Sequence, residues 1–346
     1  MSFKVQVEPL GLSFTVKEGQ SVLDAALEAK ILLPYSCRGG SCSTCKAKVV
    51  AGDFDAGQAP AQILMADELE AGYSLMCQAH PKSDMVIESP LASVMSDIEV
   101  RKMPARVIEL TPIIDDVMQV VLQLPASQPV FYYPGQYLNV LLRGGAERSY
   151  SMANPPLEDN TVTLHVRHMP GGLFTDQLFG ATEPAIKDRQ ILRVELPLGT
   201  FYLREDSARP IIFLASGTGF APIKAMVQHM LAQGIDRPVR FYWGGRRPKD
   251  IYQAQEAQQW VQQFNDFEFI PVVSEALDSD EWSGRTGFVH HAVMQDHPNL
   301  AGWEVYACGH PKMVEGARRD FVQHCQLEDE AYFSDAFTSE ADKVSN

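Results

Sequence analysis

Residues 34–45 read Pro34-Tyr35-Ser36-Cys37-Arg38-Gly39-Gly40-Ser41-Cys42-Ser43-Thr44-Cys45, and a fourth cysteine follows at Cys77. Four residues separate the first two cysteines, two the next pair and thirty-one the last. A C-x4-C-x2-C…C order is the spacing that ligates a [2Fe–2S] cluster. Each of two irons takes two thiolates, and sulfur is the soft donor such a cluster needs. Cys37, Cys42, Cys45 and Cys77 are therefore the candidate metal ligands. Gly39 and Gly40 let the backbone wrap closely where a Cβ would crowd the cluster. Ser41, Ser43 and Thr44 are small enough to leave backbone N–H groups free to donate to sulfur. A disulfide framework needs an oxidising compartment, which nothing in the chain suggests. A zinc site usually pairs two short hooks, whereas here three ligands share one loop.

Outward from that loop, the first part of the chain alternates. Phe3, Val5 and Val7, then Leu12, Phe14 and Val16, interleave with polar residues around a turn at Gly11, the pattern of a hairpin. Ser21 is placed to cap a helix over Val22–Lys30, with Leu23, Ala26 and Leu27 on one face. A strand is expected at Lys46–Val50, a short turn at Asp67–Ala71, and a closing strand at Met85–Glu88. Residues 34–77 resemble the plant-type ferredoxin family, over about the first ninety residues. That resemblance implies a β-grasp fold for residues 1–93. Ser89–Met103 carries no clear pattern and reads as a linker.

The length of 346 residues predicts two or three domains. A net charge of −15 argues against nucleic acid as a partner, because phosphate binding needs a basic stripe. Acidity suits docking to a basic protein patch and equally suits solubility alone. The first eight residues hold no apolar signal core, and Ile211–Ile223 is too short and too broken by Gly217, Gly219 and Pro222 to cross a bilayer. The expectation is a soluble cytoplasmic protein with no membrane partner.

From Pro104 to about Arg204, short alternating strands suggest an antiparallel β-barrel, with strands at Ala105–Leu110, Val117–Gln123, Tyr137–Leu142 and Thr161–Arg167. Arg148-Ser149-Tyr150-Ser151, preceded by Pro134-Gly135-Gln136-Tyr137, resembles the Arg-x-Tyr-Ser signature of the ferredoxin–NADP reductase superfamily. Arg148 can fork two donors onto a phosphate, Tyr150 offers a flat face to a flavin ring, and Ser151 has a hydroxyl able to reach flavin N5. His165-Val166-Arg167 and then Gly171-Gly172-Leu173-Phe174-Thr175 follow. A glycine pair opening a helix presents N–H groups and a positive dipole end to an anion, and Thr175 can add a hydroxyl donor. The resemblance implies that this segment holds the flavin pyrophosphate, and that residues 101–205 bind FAD.

In residues 208–340, Pro210–Ala215 is an apolar run typical of a buried parallel strand. Ser216-Gly217-Thr218-Gly219-Phe220-Ala221-Pro222 and a helix to about Gln233 follow it, making a diphosphate cradle. Strands fit Val239–Trp243, Phe267–Val273 and Trp303–Ala307, and helices fit Ile251–Phe264, Phe288–Gln295 and Lys312–Cys325. The alternation means a parallel α/β nucleotide-binding domain. The glycine turn resembles the Gly-Thr-Gly-x-Ala-Pro turn of the same superfamily. Cys308-Gly309-His310-Pro311-Lys312-Met313 resembles its Cys-Gly-x-Pro-x-Met turn. By that resemblance Cys308 lies beside nicotinamide C4, Gly309 lets the ring approach, and Pro311 belongs to the same turn. Asp335 stands where the superfamily often has a Glu assisting hydride transfer, with a shorter side chain here. Phe337, in a segment resembling the closing strand, covers the flavin's other face. Arg246 and Arg247 can grip a 2′-phosphate and select NADPH, stack on adenine, or point into water. The relatives that look like this favour NADH and leave NADPH open.

The layout resembles, along essentially the whole length, the one-chain reductases that feed oxygenases, and also the CDP-6-deoxy-glucoseen reductases. It implies electron flow from NAD(P)H through FAD and [2Fe–2S] to a redox partner protein. That partner is an oxygenase component of the aromatic-ring hydroxylating type, or alternatively a CDP-6-deoxyhexose dehydratase. A non-catalytic electron-carrier or sensor module is the remaining alternative. Ser151, Cys308 and Phe337 together speak against it, since a scaffold needs none of them.

Overall fold

A computed structural model of the chain describes residues 1–60, 63–94 and 98–338. Residues 95–97 of the expected linker and 339–340 of the expected third domain lie outside the described residues. The chain divides into two compact units, one of residues 1–97 with 334–346, the other of residues 98–333.

In the first unit a five-stranded sheet runs in the order Leu12–Lys17, Ser2–Glu8, Met85–Glu88, Lys46–Ala51, Tyr73–Leu75. The hairpin pairs Val5 with Phe14, and Met85–Glu88 lies parallel to the first strand. Val5, Val7, Phe14 and Val16 share one buried core with Val22, Leu23, Ala25 and Ala26 of the helix Val22–Glu28. This is the expected β-grasp arrangement. Ser21 caps the helix, its Oγ accepting from Asp24 N at 3.1 Å. The helix stops two residues earlier than the sequence suggested, since Lys30 sits at a positive φ of 58°. Where a turn was expected, a short helix forms over Ala66–Glu70, its first turn carrying Asp67 and Glu68.

The second unit holds one six-stranded sheet whole and, as far as Phe333, a second. The first orders Glu147–Ser151, Tyr137–Leu141, Ile191–Leu198, Arg101–Ile114, Val117–Gln123, Thr161–Arg167, and its pairings are antiparallel. A bridge between Met152 and Leu164 joins its outer strands and closes the barrel. The Ile191–Leu198 strand was not anticipated, and Arg101–Ile114 begins inside the segment read as linker. Pro104 hid that start, yet it sits in the strand opposite Arg193.

The second sheet orders Arg285–Thr286, Phe267–Val273, Val239–Gly245, Ile211–Ser216, Glu304–Gly309 and Tyr332–Ala336. Ile211–Ser216 is central and runs parallel to both neighbours. It is almost wholly buried, as an uninterrupted Ile-Ile-Phe-Leu-Ala run requires. The helix Phe220–Gln233 ends at Gly234, which takes the left-handed conformation that glycine supplies at a C-terminus.

One buried ion pair underlies this sheet. Arg237 and Glu304, 5% and 6% exposed, meet at 2.7 Å. Arg237 also donates to the carbonyls of Arg204 and Arg209, and Tyr306 donates to Glu304. Removing one partner strands a buried charge. Arg237→Ala is therefore expected to cost about 3–5 kcal/mol in denaturant unfolding. A loss below about 1 kcal/mol would show that the network contributes little.

Candidate functional site

The loop from Pro34 to Cys45 has no regular secondary structure and is held at its ends. Met76 N donates to the Cys45 carbonyl and Leu23 N to the Met76 carbonyl, which fixes Cys45 and Cys77 together against the capped helix. Cys42, Cys45 and Cys77 are buried and Cys37 is half-buried, all four as free thiols. They fall into two close pairs. A hydrogen bond from Cys42, aided by the Gly39, Ser41 and Cys42 backbone, pulls Cys37 down to about 6 against its burial. The Cys45 thiol is pushed up by its hydrogen bond to Cys77 and by burial. Gly39 N points at Cys37 Sγ from 3.4 Å. At Gly40, φ is +75° and a Cβ would sit 3.0 Å from Gln78 Cγ. Four thiols in two pairs, with N–H donors aimed at sulfur, fit a two-iron cluster. In the same unit, Ser36 donates to the Asp335 carboxylate, one residue before Cys37.

In the barrel, Arg148 is half-buried on its strand and donates from Nη1 to the Glu147 carbonyl at 2.8 Å. The Ser149 hydroxyl is engaged within the sheet, donating to Asn139 Oδ1 at 2.7 Å. The Tyr150 ring lies 5.3 Å from that of Phe174, and burial pushes its hydroxyl pKa upward. Ser151 is buried at the strand end opposite Tyr137. On the Thr161–Arg167 strand, Leu164 and Val166 enter the barrel core, so His165 and Arg167 face outward.

Those two side chains meet partners the sequence did not reveal. His165 Nδ1 lies 3.1 Å from the Tyr252 hydroxyl, and its ring stacks 6.1 Å from Phe220. Burial depresses its pKa to about 3, so the imidazole is neutral. Arg167 sits 3.6 Å from both Asp116 and Asp250, while its Nε and Nη2 have no hydrogen-bond partner among the described residues. Nη2, a buried guanidinium donor without a hydrogen-bond partner among the described residues, suits an incoming anion, while Nε faces Asp116. The glycine loop differs from expectation. Its helix is only Thr175–Leu178, and the Thr175 hydroxyl already donates to the Met169 carbonyl at 2.8 Å. Gly171 N donates to Asp176 at 3.1 Å, and Leu173 is exposed.

The nucleotide turn is interlocked with the end of the neighbouring strand. Gly217–Gly219 forms a 3₁₀ turn leading into the helix Phe220–Gln233, with Pro222 in its first turn. Trp243 Nε1 donates to the Gly217 carbonyl at 3.0 Å and its ring stacks on Phe220 at 4.2 Å. A Cβ on Gly219 would lie 2.3 Å from the Cys308 carbonyl oxygen. Cys308 is fully buried, and its Sγ donates to the Gly219 carbonyl at 2.9 Å. Gly309 takes φ +124° with Ser216 Oγ 2.3 Å from its would-be Cβ, and His310 N donates to that same hydroxyl at 2.9 Å. Pro311 begins the next helix, which His310 caps.

Beyond the second strand, Arg247 is committed to Asp280 by two bonds of 2.7 and 2.6 Å, and Arg246 is exposed. Both backbone N–H groups donate to the buried Asp250 carboxylate at 3.0 Å. Phe337 is half-buried. Tyr252, Asp250 and Asp280 were missed because each reads, alone, as an ordinary loop residue.

Comparison with known families bears on this layout. A 2Fe-2S iron-sulfur cluster binding domain matches residues 5–82, an oxidoreductase FAD-binding domain residues 104–202, and an oxidoreductase NAD-binding domain residues 213–319. The CDP-6-deoxy-L-threo-D-glycero-4-hexulose-3-dehydrase reductase of Yersinia pestis is 37% identical over 97% of the chain and 99% of its own. The chain belongs to the one-chain iron–sulfur flavoprotein reductases. Reductase component 2 of terephthalate 1,2-dioxygenase from Comamonas sp is 36% identical over 92% of each chain. Among solved structures, the Amycolatopsis cytochrome P450 reductase GcoB superposes with a TM-score of 0.75 at 33% identity, over 97% of this chain and 99% of that one. This reductase is thus an NAD(P)H-dependent oxidoreductase that uses FAD and a [2Fe–2S] cluster. No helix among the described residues is long and apolar enough to cross a membrane.

Proposed function

We propose that the reductase draws electrons from NADH and delivers them singly, through its cluster domain, to an oxygenase component of the aromatic-ring hydroxylating type. The observation that carries the single-electron delivery is the set of four thiols, three on one loop and Cys77, with their sulfurs in two close pairs. A one-electron store is needed where the acceptor takes electrons one at a time. FAD and the cluster, when bound, supply the change from a two-electron donor to one-electron delivery.

The chain's own residues bind and orient. Cys37 and Cys42 would hold one iron, and Cys45 and Cys77 the other. Arg148 would clamp a flavin phosphate, Tyr150 lie along the ring and Ser151 present its hydroxyl at N5. His165–Arg167 and Gly171–Thr175, with Nη2 of Arg167, would hold the pyrophosphate. For that to happen Asp176 must give up the Gly171 N–H. Gly217–Gly219 and Pro222 would receive the dinucleotide diphosphate, and Cys308, Gly309 and Pro311 the nicotinamide. Asp335 and Phe337 complete the assignment, as a carboxylate assisting hydride transfer and as the ring over the flavin. The compartment that suits six reduced thiols is the cytoplasm.

Arg247 favours NADH. Its guanidinium is neutralised by Asp280, so a 2′-phosphate would meet a carboxylate, whereas a ribose 2′-hydroxyl can donate to it. kcat/KM for NADH is expected to exceed that for NADPH by about tenfold or more, and Asp280→Asn to narrow the ratio by about tenfold. Equal use of both nucleotides by the wild type would remove this reading.

A second reading, reductase of a CDP-6-deoxyhexose dehydratase system, is favoured by the 37% identity to the Yersinia relative. Stopped-flow mixing of the NADH-reduced protein with each purified acceptor separates the two. Rapid oxidation by the oxygenase component alone supports the first reading; rapid oxidation by the dehydratase alone overturns it.

A further inference from the structure

We propose that His290, His291 and Asp320 form a site for a divalent transition metal of the zinc class, distinct from the cluster cysteines. Neighbouring positions on the helix Val289–Asp296 supply the two histidines, and the helix Pro311–His324 supplies the aspartate. One ligand atom from each lies within 4.8 Å of the others. Tetrahedral zinc with bonds near 2.0–2.1 Å sets its ligand atoms about 3.4 Å apart. His290 Nε2 and Asp320 Oδ2 already stand 3.5 Å apart. Rotation of the exposed His291 side chain closes the rest.

The Nδ1 of His290 has no hydrogen-bond partner among the described residues that would fix the ring in a structural network. The other oxygen of Asp320 is oriented by Arg319, at 3.0 Å from Nε and 2.9 Å from Nη2. Such an outer partner aims a ligating carboxylate. Gly316, one turn before Asp320, keeps the approach open. A Cβ there would already stand 3.7 Å from His290 Nε2, and a longer side chain would cover it.

Two imidazoles and one carboxylate, with room for water, suit zinc, nickel or copper better than magnesium or calcium. The metal would tie two helices that flank the nucleotide turns. Val289 packs against Gly244, and the other helix starts at Pro311, two residues after Gly309.

The test uses the holoenzyme, its iron and FAD content measured, freed of loose metal with EDTA and desalted. Calorimetric titration with zinc chloride is expected to give one site per chain, with Kd on the order of micromolar. Saturating zinc should raise the thermal midpoint by a few degrees. His291→Ala and Asp320→Asn should each weaken binding about tenfold or more, with iron content unchanged. Copper(II) bound to the oxidised holoenzyme should show nitrogen couplings in its EPR spectrum that His291→Ala reduces. No zinc uptake by the wild type, wild-type affinity in both variants, or zinc uptake matched by iron release would each overturn the proposal.

Discussion

Cys42→Ser is expected to strip the protein of its cluster while leaving NADH-to-ferricyanide activity within about twofold of the wild type. Cys42 is buried and closely paired with Cys37, so its loss leaves one iron short of a thiolate. A serine hydroxyl is a harder and far less acidic donor. Reduction of cytochrome c, if it is served by the cluster, should fall about a hundredfold or more. The cysteines lie in one compact unit and the flavin barrel in the other, so bound FAD should stay at wild-type stoichiometry. Iron analysis, flavin content and the two acceptor assays check this together. Loss of FAD in the variant would contradict the independence of the units, and retained cytochrome c reduction would take the cluster out of the electron path.

The second large effect belongs to Gly219→Ala. The added Cβ would fall 2.3 Å from the Cys308 carbonyl oxygen and 2.8 Å from its carbon, both backbone atoms that cannot swing aside. The strand end Glu304–Gly309 must therefore move, and the proposed nicotinamide contact with it. Displacement of about 1 Å in such a site costs about a hundredfold, so kcat/KM for NADH should fall by that order with FAD retained. Gly234→Ala is the control. Gly234, unlike Gly219, has a positive φ, but among the described residues a Cβ there has nothing within 4 Å. That variant should lose about 1 kcal/mol of stability and keep wild-type kinetics. Equal NADH kinetics for Gly219→Ala would show that the Gly219–Cys308 contact does not shape the nucleotide site.

The sequence carried the parts of the molecule whose signal is local. The cysteine spacing, the alternation about Gly11 and the apolar run Ile211–Ala215 each depend on neighbours in the chain. The barrel and the parallel sheet followed from such local patterns, and the β-grasp fold from the resemblance of the cysteine loop to plant-type ferredoxins. The barrel strand Ile191–Leu198 was not legible, because Pro197 and Leu198 blur its alternation and its partners lie far away in the chain. Pro104 likewise disguised the start of Arg101–Ile114.

At the site, motif residues were legible and their supports were not. Nothing near Arg247 in the chain announces Asp280, which reaches it from thirty-three residues away. Tyr252 against His165 and Ser216 against Gly309 are likewise contacts made by folding. Thr175 shows the reverse case. Its hydroxyl was expected to face a phosphate, but the loop itself uses it on Met169.

The most direct test of paired electrons becoming single ones is an anaerobic titration of the holoenzyme with NADH, followed by absorbance and EPR. FAD stores two electrons and the cluster one. Uptake is therefore expected to end near one and a half NADH per chain, with the EPR signal of a reduced [2Fe–2S] cluster at full intensity. An end point at one NADH per chain, with flavin bleached and the cluster still oxidised under excess NADH, would contradict the account.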